Sequence, residues 1–578
     1  ADKLILAAGG NTLTVAGAES LLGNGGADVI TLGAGISNAL IDLGAGADVL
    51  TLSVENHNIT VSNIETLTGG VGDDVVTFNT LTTTAGVYDL GVGNDQVILG
   101  NGTAANGITV SNVESFTGSS AADTVTFGAA VASGTVNLGA GADSLTLAAG
   151  GNTLTVSGTE SITGDAGADN ITLAAAINGA TINLQGGSDQ LTLANGTNAI
   201  TATQVESITG GSGADAVTLG TGTTLGTIDL GSGTDTLALS ADGGTYTVTG
   251  VETTTGGVGA DLVTLGSAGS GMTVTLGAGT DALTLANGTN TVTAVDVESV
   301  TGGAGADTLV LTNAANTLTT AGVESIVGGT LTDTLALTDI TNALTVSSIE
   351  SINGGTLDDS ITLGTAVTGA VFDLKAGIDT LRLASGTNSL TATGVESVVG
   401  GGGTDTLTLA GNGSALTVSA IETIVGSTGN DAVTLSTVVS GGSFDLGSGT
   451  DTLNLANGGN TLTVSGNIET VVGGSGNDLI TVGSAVTGLT YDLGGGTADR
   501  LTLSSAGTNT ITAVGIETIQ GGTSSDNITF TAAASGISID LGAGSDVINL
   551  ADAANTLSLN ATVETVVGGT LTDAITLT

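Results

Sequence analysis

Along nearly the whole chain, apolar residues alternate with threonine or another small polar residue, as in Thr461-Leu462-Thr463-Val464 and Asp451-Thr452-Leu453-Asn454-Leu455. A period of two puts Leu, Val and Ile on one face of a strand and Thr, Ser or Asn on the other. The runs are short and are separated by Asn-Gly, Ser-Gly and Gly-Gly pairs, which form turns. No segment keeps a uniform helical period. The predicted elements are short strands with an aliphatic inner face and a hydroxyl-rich outer face, joined by Gly-rich turns.

The strands fall into two unit types. The longer, for example residues 194–215, has room for about three strands with the one that follows its Asp; the shorter, for example residues 227–239, lacks the extra residues of the first turn. An aspartate closes the turn of each unit, as in Gly210-Gly211-Ser212-Gly213-Ala214-Asp215-Ala216-Val217. From Asp2 to Asp573 there are 25 such positions, at two recurring spacings: a long one, as from Asp189 to Asp215, and a short one, as from Asp215 to Asp235. A Val/Ile-Glu-Ser/Thr signature recurs evenly at Glu160, Glu206, Glu252 and Glu298. Its spacing shortens from Glu298 to Glu324 to Glu350, and again from Glu396 to Glu422, in each case by the length of one short unit. A whole unit is missing there without disturbing its neighbours, as expected of a coil in a stack. The predicted fold is all-β: an elongated parallel β-solenoid, β-helix- or β-roll-like, of about 25 coils of about 20 or about 26 residues. Residues 1–578 read as one continuous array, and coils ~4.8 Å apart would make it on the order of 120 Å long. Both ends fall inside a repeat, so export signals are expected outside this stretch.

Charge narrows the choice of partners. The chain has 54 acidic residues against 4 Lys and Arg (Lys3, Lys375, Arg382, Arg500), a net charge of -50. Phosphate binding needs clustered cations, so nucleic acid is excluded as a partner, and an anionic membrane surface with it. Charge of one sign on this scale opposes compaction unless cations are bound. There is no cysteine and hence no disulfide, and no apolar run long enough to span a bilayer, so no membrane insertion by a helix is expected. Aromatic residues make up 2% of the chain, too few to line a pocket, and no Ser-His-Asp set or paired acid and base stands out. An enzyme is not expected.

The acidic turns carry the candidate chemistry. If each unit is one coil, its aspartate stacks over the next in a single column. Two carboxylates ~5 Å apart repel by roughly 3 kcal/mol at an effective dielectric near 20. A divalent cation between successive turns relieves this, and Gly-rich turns let backbone carbonyls join the carboxylates as ligands. The alternative reading is that Gly and Asp simply form turns, with Asp in an Asx-turn.

Gly69-Gly70-Val71-Gly72-Asp73-Asp74, Gly302-Gly303-Ala304-Gly305-Ala306-Asp307 and Gly473-Gly474-Ser475-Gly476-Asn477-Asp478 resemble the RTX (haemolysin-type) nonapeptide Gly-Gly-x-Gly-x-Asp-x-aliphatic-x. That resemblance implies a parallel β-roll with calcium between turns and export from bacteria by a type I system. It carries the ligand role to Asp74, Asp215, Asp261, Asp307 and Asp478. RTX nonapeptides follow one another in tandem, whereas here the motifs lie at least one short unit apart, which implies calcium on one edge of the solenoid at most. Some turns are degenerate, as at Asp123, Asp333 and Asp573. The full set of expected calcium ligands is Asp28, Asp48, Asp74, Asp95, Asp143, Asp169, Asp189, Asp215, Asp235, Asp261, Asp281, Asp307, Asp405, Asp431, Asp451, Asp478 and Asp546.

Three other features receive simpler readings. The Glu of the Val/Ile-Glu-Ser/Thr signature is a solvated charge at a strand end, or a second cation ladder. His57 stands alone and reads as a surface loop residue. Outward Thr rows suit any exposed parallel sheet, though they also resemble ice-binding solenoids in general design. The expected role is an extracellular structural protein of a bacterial cell surface, in a surface layer or matrix fibre, stabilised by calcium. Its expected partners are further copies of itself, end to end or side by side, with a cell-surface polysaccharide as another candidate. The stalk of a secreted adhesin and an ice-binding protein are the alternatives.

Overall fold

The computed structural model describes residues 2–80, 86–101 and 106–578. Among them are 63 strands and no helix, hence no helix long and apolar enough to cross a membrane. Contacts divide the chain into two compact units, Ala1–Val297 and Glu298–Thr578, and each is a parallel β-solenoid.

In the first unit successive strands alternate between two parallel sheets, so two strands complete a coil. In one sheet Ala199 pairs with Ala216 and Ala216 with Thr236, one coil on each time. Ile200, Val217 and Leu237 stack in register and are buried, while Thr218 between Val217 and Leu219 is exposed. The alternation read from the sequence therefore encloses an aliphatic core between the two sheets. Each fully buried Val, Leu or Ile contributes about 1.5–3 kcal/mol.

The second unit follows the same rule. Ala343 pairs with Ser360 and Ser360 with Thr380, a shorter coil and then a longer one. Leu344, Ile361, Leu381 and Val398 form the buried column behind them.

The solenoid class matches expectation, but the coil does not. The hydrogen bonds that join one coil to the next span 17 residues from Asn198 to Asp215 and 20 residues from Asp215 to Asp235. These are the two common coil lengths, and the long interval between aspartates is one and a half coils. Between Asp189 and Asp215 lie three strands, Gln190–Thr192, Ala199–Thr203 and Ser207–Thr209. Three is odd, so Asp215 emerges at the sheet opposite to that of Asp189. The short interval from Asp215 to Asp235 holds two strands, Ala216–Leu219 and Leu225–Asp229, and returns to the same sheet. A single column of 25 carboxylates is therefore not formed.

Candidate functional site

The aspartates lie at the starts of strands on two edges. In the first unit Asp28, Asp48, Asp143, Asp215 and Asp235 open strands of one sheet. Asp74, Asp95, Asp169, Asp189, Asp261 and Asp281 open strands of the other. In the second unit Asp307, Asp431, Asp451 and Asp546 share one sheet, and Asp405 and Asp478 the other. All 17 are buried. The structure brings them together in short ladders instead of one column, and cations, if bound, belong to two edges.

One ladder shows how the parts fit. Asn198 is fully buried; its Nδ2 donates to the Ala194 carbonyl at 2.9 Å and to Oδ1 of Asp215 at 2.8 Å. The Asn198 amide donates to the same oxygen at 2.9 Å. One coil on, the Asp215 amide donates to Oδ1 of Asp235 at 2.7 Å, and the Asp235 amide to Oε2 of Glu252 at 2.8 Å. Each side chain thus accepts the amide of the coil before it. Gly210 is required beneath this stack, because a Cβ there would sit 2.3 Å from the Leu230 carbonyl oxygen.

The same Asn–Asp–Asp–Glu order recurs as Asn152–Asp169–Asp189–Glu206 and, in the second unit, as Asn460–Asp478–Asp499–Glu517. Where a short unit is missing the ladder contracts to three rungs, as in Asn316–Asp333–Glu350. The Asn rung is absent from the sequence expectation, and the Glu, expected as a solvated strand end or a second cation ladder, is a rung of the same ladder as the aspartates. Asn198 lies 17 residues before Asp215 and Glu252 17 after Asp235, and the step is 18 from Asn460 to Asp478 and from Asp499 to Glu517. That recurring spacing is the shorter coil length and is visible in the sequence.

His57 is not on a surface loop. It is 1% exposed and occupies the Asn slot, its amide donating to Oδ1 of Asp74 at 2.8 Å. Its Nε2 lies 2.9 Å from Ser53 Oγ, while Nδ1 is buried without a hydrogen bond. Burial pushes its pKa down.

In the ladders of Asp123, Asp359 and Asp431 the two aspartates are not equivalent. In the Gly-Gly turn of the long unit, the amide four residues before Asp points to its second oxygen: Ser119, Gly329, Gly401 and Ser427 donate to Oδ2 of Asp123, Asp333, Asp405 and Asp431 at 2.7–3.0 Å. In the short unit that amide is diverted. Gly231, in a left-handed conformation at φ 85°, donates to Oδ1 of Asp229 in an Asx-turn. Gly44, Gly91, Lys375 and Gly447 do the same with Asp42, Asp89, Asp373 and Asp445.

Nine short-unit aspartates keep a buried Oδ2 with no donor: Asp48, Asp95, Asp143, Asp189, Asp235, Asp379, Asp451, Asp499 and Asp546. Asp28, Asp74, Asp169, Asp215 and Asp478, the rungs before some of these, also have an Oδ2 without a donor. Burial raises the pKa of these nine carboxyls, to about 7 for Asp95 and about 6 for Asp189 and Asp379, with the adjacent Asp and Glu adding to the shift. Shallow grooves of about 340, 100 and 270 Å³ lie beside Glu160, Glu252 and Glu396, the rungs that follow Asp143, Asp235 and Asp379.

No protein-family model matches the chain, and no curated protein matches its sequence.

The donor set can be tested against calcium. A buried carboxylate oxygen without a donor, next to a second carboxylate and to turn carbonyls, has the chemistry that a hard cation seeks. Among the described residues no three His, Asp or Glu side chains form a cage by themselves. An ion on the ladder would therefore draw its remaining oxygens from carbonyls and water. The residues fit calcium in donor type.

Proposed function

We propose that this protein is a non-catalytic structural element of a bacterial cell surface, a β-solenoid of RTX-like type whose acidic ladders are stabilised by calcium outside the cell. The observation that carries this reading is repetition. The same Asn–Asp–Asp–Glu arrangement recurs through both units, each time with a buried carboxylate oxygen that has no donor. Catalysis needs one irregular place where a substrate is held, and the repeat offers the same edge many times over. Bound cations would offset the charge of -50 and make association of copies, or contact with a surface polysaccharide, electrostatically tolerable. An adhesin stalk would use the same properties.

The test is circular dichroism and melting of the full chain in calcium and in chelator. A gain of β-structure or a large rise in melting temperature with calcium is expected. Indifference to chelator would leave a solenoid held by its aliphatic core and amide ladders alone.

A second reading, ice binding, draws support from threonine columns in register, such as Thr14, Thr31, Thr51 and Thr68. The column is broken at the next coil by Asp89, which favours the structural reading. Thermal hysteresis in solution would reverse that preference.

A further inference from the structure

We propose that the divalent-cation sites of this chain belong to the four-rung ladders, one per ladder, centred on the short-unit aspartate and the glutamate that follows it. The three-rung ladders have none. This rests on the calcium reading above and departs from the assignment implied by the Gly-Gly-x-Gly-x-Asp turns.

In the three-rung ladder Asp333 accepts the Asn316 amide and Nδ2 on Oδ1, at 3.0 and 2.7 Å, and the Gly329 amide on Oδ2 at 2.8 Å. Both oxygens are engaged by backbone or amide donors, so its turn is complete without metal. In the short units of Asp48, Asp95, Asp189, Asp235, Asp379 and Asp451 an Asx-turn removes the corresponding amide. Asp189 shows the result: Gln185 donates to Asn183, Asp189 Oδ1 accepts the Asp169 amide, and Oδ2 has no donor although the residue is fully buried; Oδ2 of Asp169 lacks one too, whereas in the Asp359–Asp379 ladder only the short-unit carboxylate does. A buried, unpaired carboxylate is costly unless a counter-charge joins it. The next rung brings a second carboxylate, Glu206, and no Lys or Arg, the chain's four lying at 3, 375, 382 and 500. A metal ion is the counter-charge of matching chemistry. The grooves beside Glu160, Glu252 and Glu396 give solvent a way to the last rung of three such ladders.

The experiment is calorimetric titration of calcium chloride into chelator-stripped full-length chain, counting equivalents bound. Asp189→Asn and Asp379→Asn keep the Oδ1 acceptor for the preceding amide and should each remove about one equivalent. Asp333→Asn should remove none. Deleting residues 360–379, which turns a four-rung ladder into a three-rung one, should also remove about one and serves as a check independent of side-chain substitution. Equivalents unchanged by Asp189→Asn, Asp379→Asn and the deletion, in a chain that does bind calcium, would overturn this assignment alone. A loss with Asp333→Asn would also overturn it. Absence of any binding by the unmodified chain would overturn both this assignment and the calcium reading beneath it.

Discussion

The ladders Asn316–Asp333–Glu350 and Asn342–Asp359–Asp379–Glu396 follow one another in the second unit and differ by one coil. In the shorter, both oxygens of Asp333 accept hydrogen bonds. In the longer, Asp359 accepts amides from Asn342 and Gly355, but Asp379 accepts only on Oδ1. The added coil therefore lengthens the aliphatic core and introduces one buried carboxylate that the backbone leaves half satisfied. The cause is local: the Lys375 amide, left-handed at φ 68°, is held by Asp373. A change of turn separates an aspartate that completes the fold from one that is open to a cation or a proton.

The comparison is broken most severely by pH. A carboxyl whose folded pKa is raised contributes stability that is present below its unfolded pKa of roughly 3.9 and lost as pH rises through the folded value. For Asp95 that loss centres near 7, and for Asp189 and Asp379 near 6. In chelator the full chain should melt at a higher temperature at pH 5 than at pH 8. A flat or opposite profile would mean that the short-unit rungs carry no strain.

Asp333→Ala should be the most damaging single change, since it leaves the half-buried Asn316 and Gly329 backbone amides without their acceptor. Roughly 3 kcal/mol of local stability should be lost, read as hydrogen exchange in the strands Thr317–Ala321 and Thr334–Leu337. Protection equal to the unmodified chain would show that the three-rung ladder does not depend on its aspartate. Asp379→Asn should act in the opposite sense. At pH 8 in chelator it removes an uncompensated charge and should slow exchange locally, by an amount on the order of 1 kcal/mol. Faster exchange would place Asp379 with Asp333 and erase the contrast. Deletion of residues 360–379 should have the smallest effect, because coil energies in a solenoid add between neighbours and the Asp359 amide would meet Glu396 as the Asp333 amide meets Glu350. Far-ultraviolet dichroism per residue should be unchanged; its collapse would show that coils are not interchangeable.

Much of this was legible in the sequence. Alternation of Leu, Val and Ile with Thr gave the strands, and the shortened step from Glu298 to Glu324 gave a removable coil. The edge assignment was missed because spacing alone was equated with coil length. Three strands per long unit, an odd number in a two-sheet coil, already imply a half-turn and a change of side. The equal steps from Asn198 to Asp215 and from Asp235 to Glu252 mark the true coil, while the sequence reading assigns no role to that Asn and gives the Glu as a solvated strand end or a second cation ladder. His57 was misplaced for the same reason, since it stands at that same step before Asp74. The unequal aspartates were beyond reach: whether an amide turns toward Asp235 or toward Asp229 depends on the φ of Gly231, and glycine permits either sign.

The most direct test of the account is the melting temperature of the full chain at pH 8, measured in millimolar calcium and then in excess chelator. A large fall on chelation, restored by calcium, is the predicted result. Identical melting in the two solutions would contradict it.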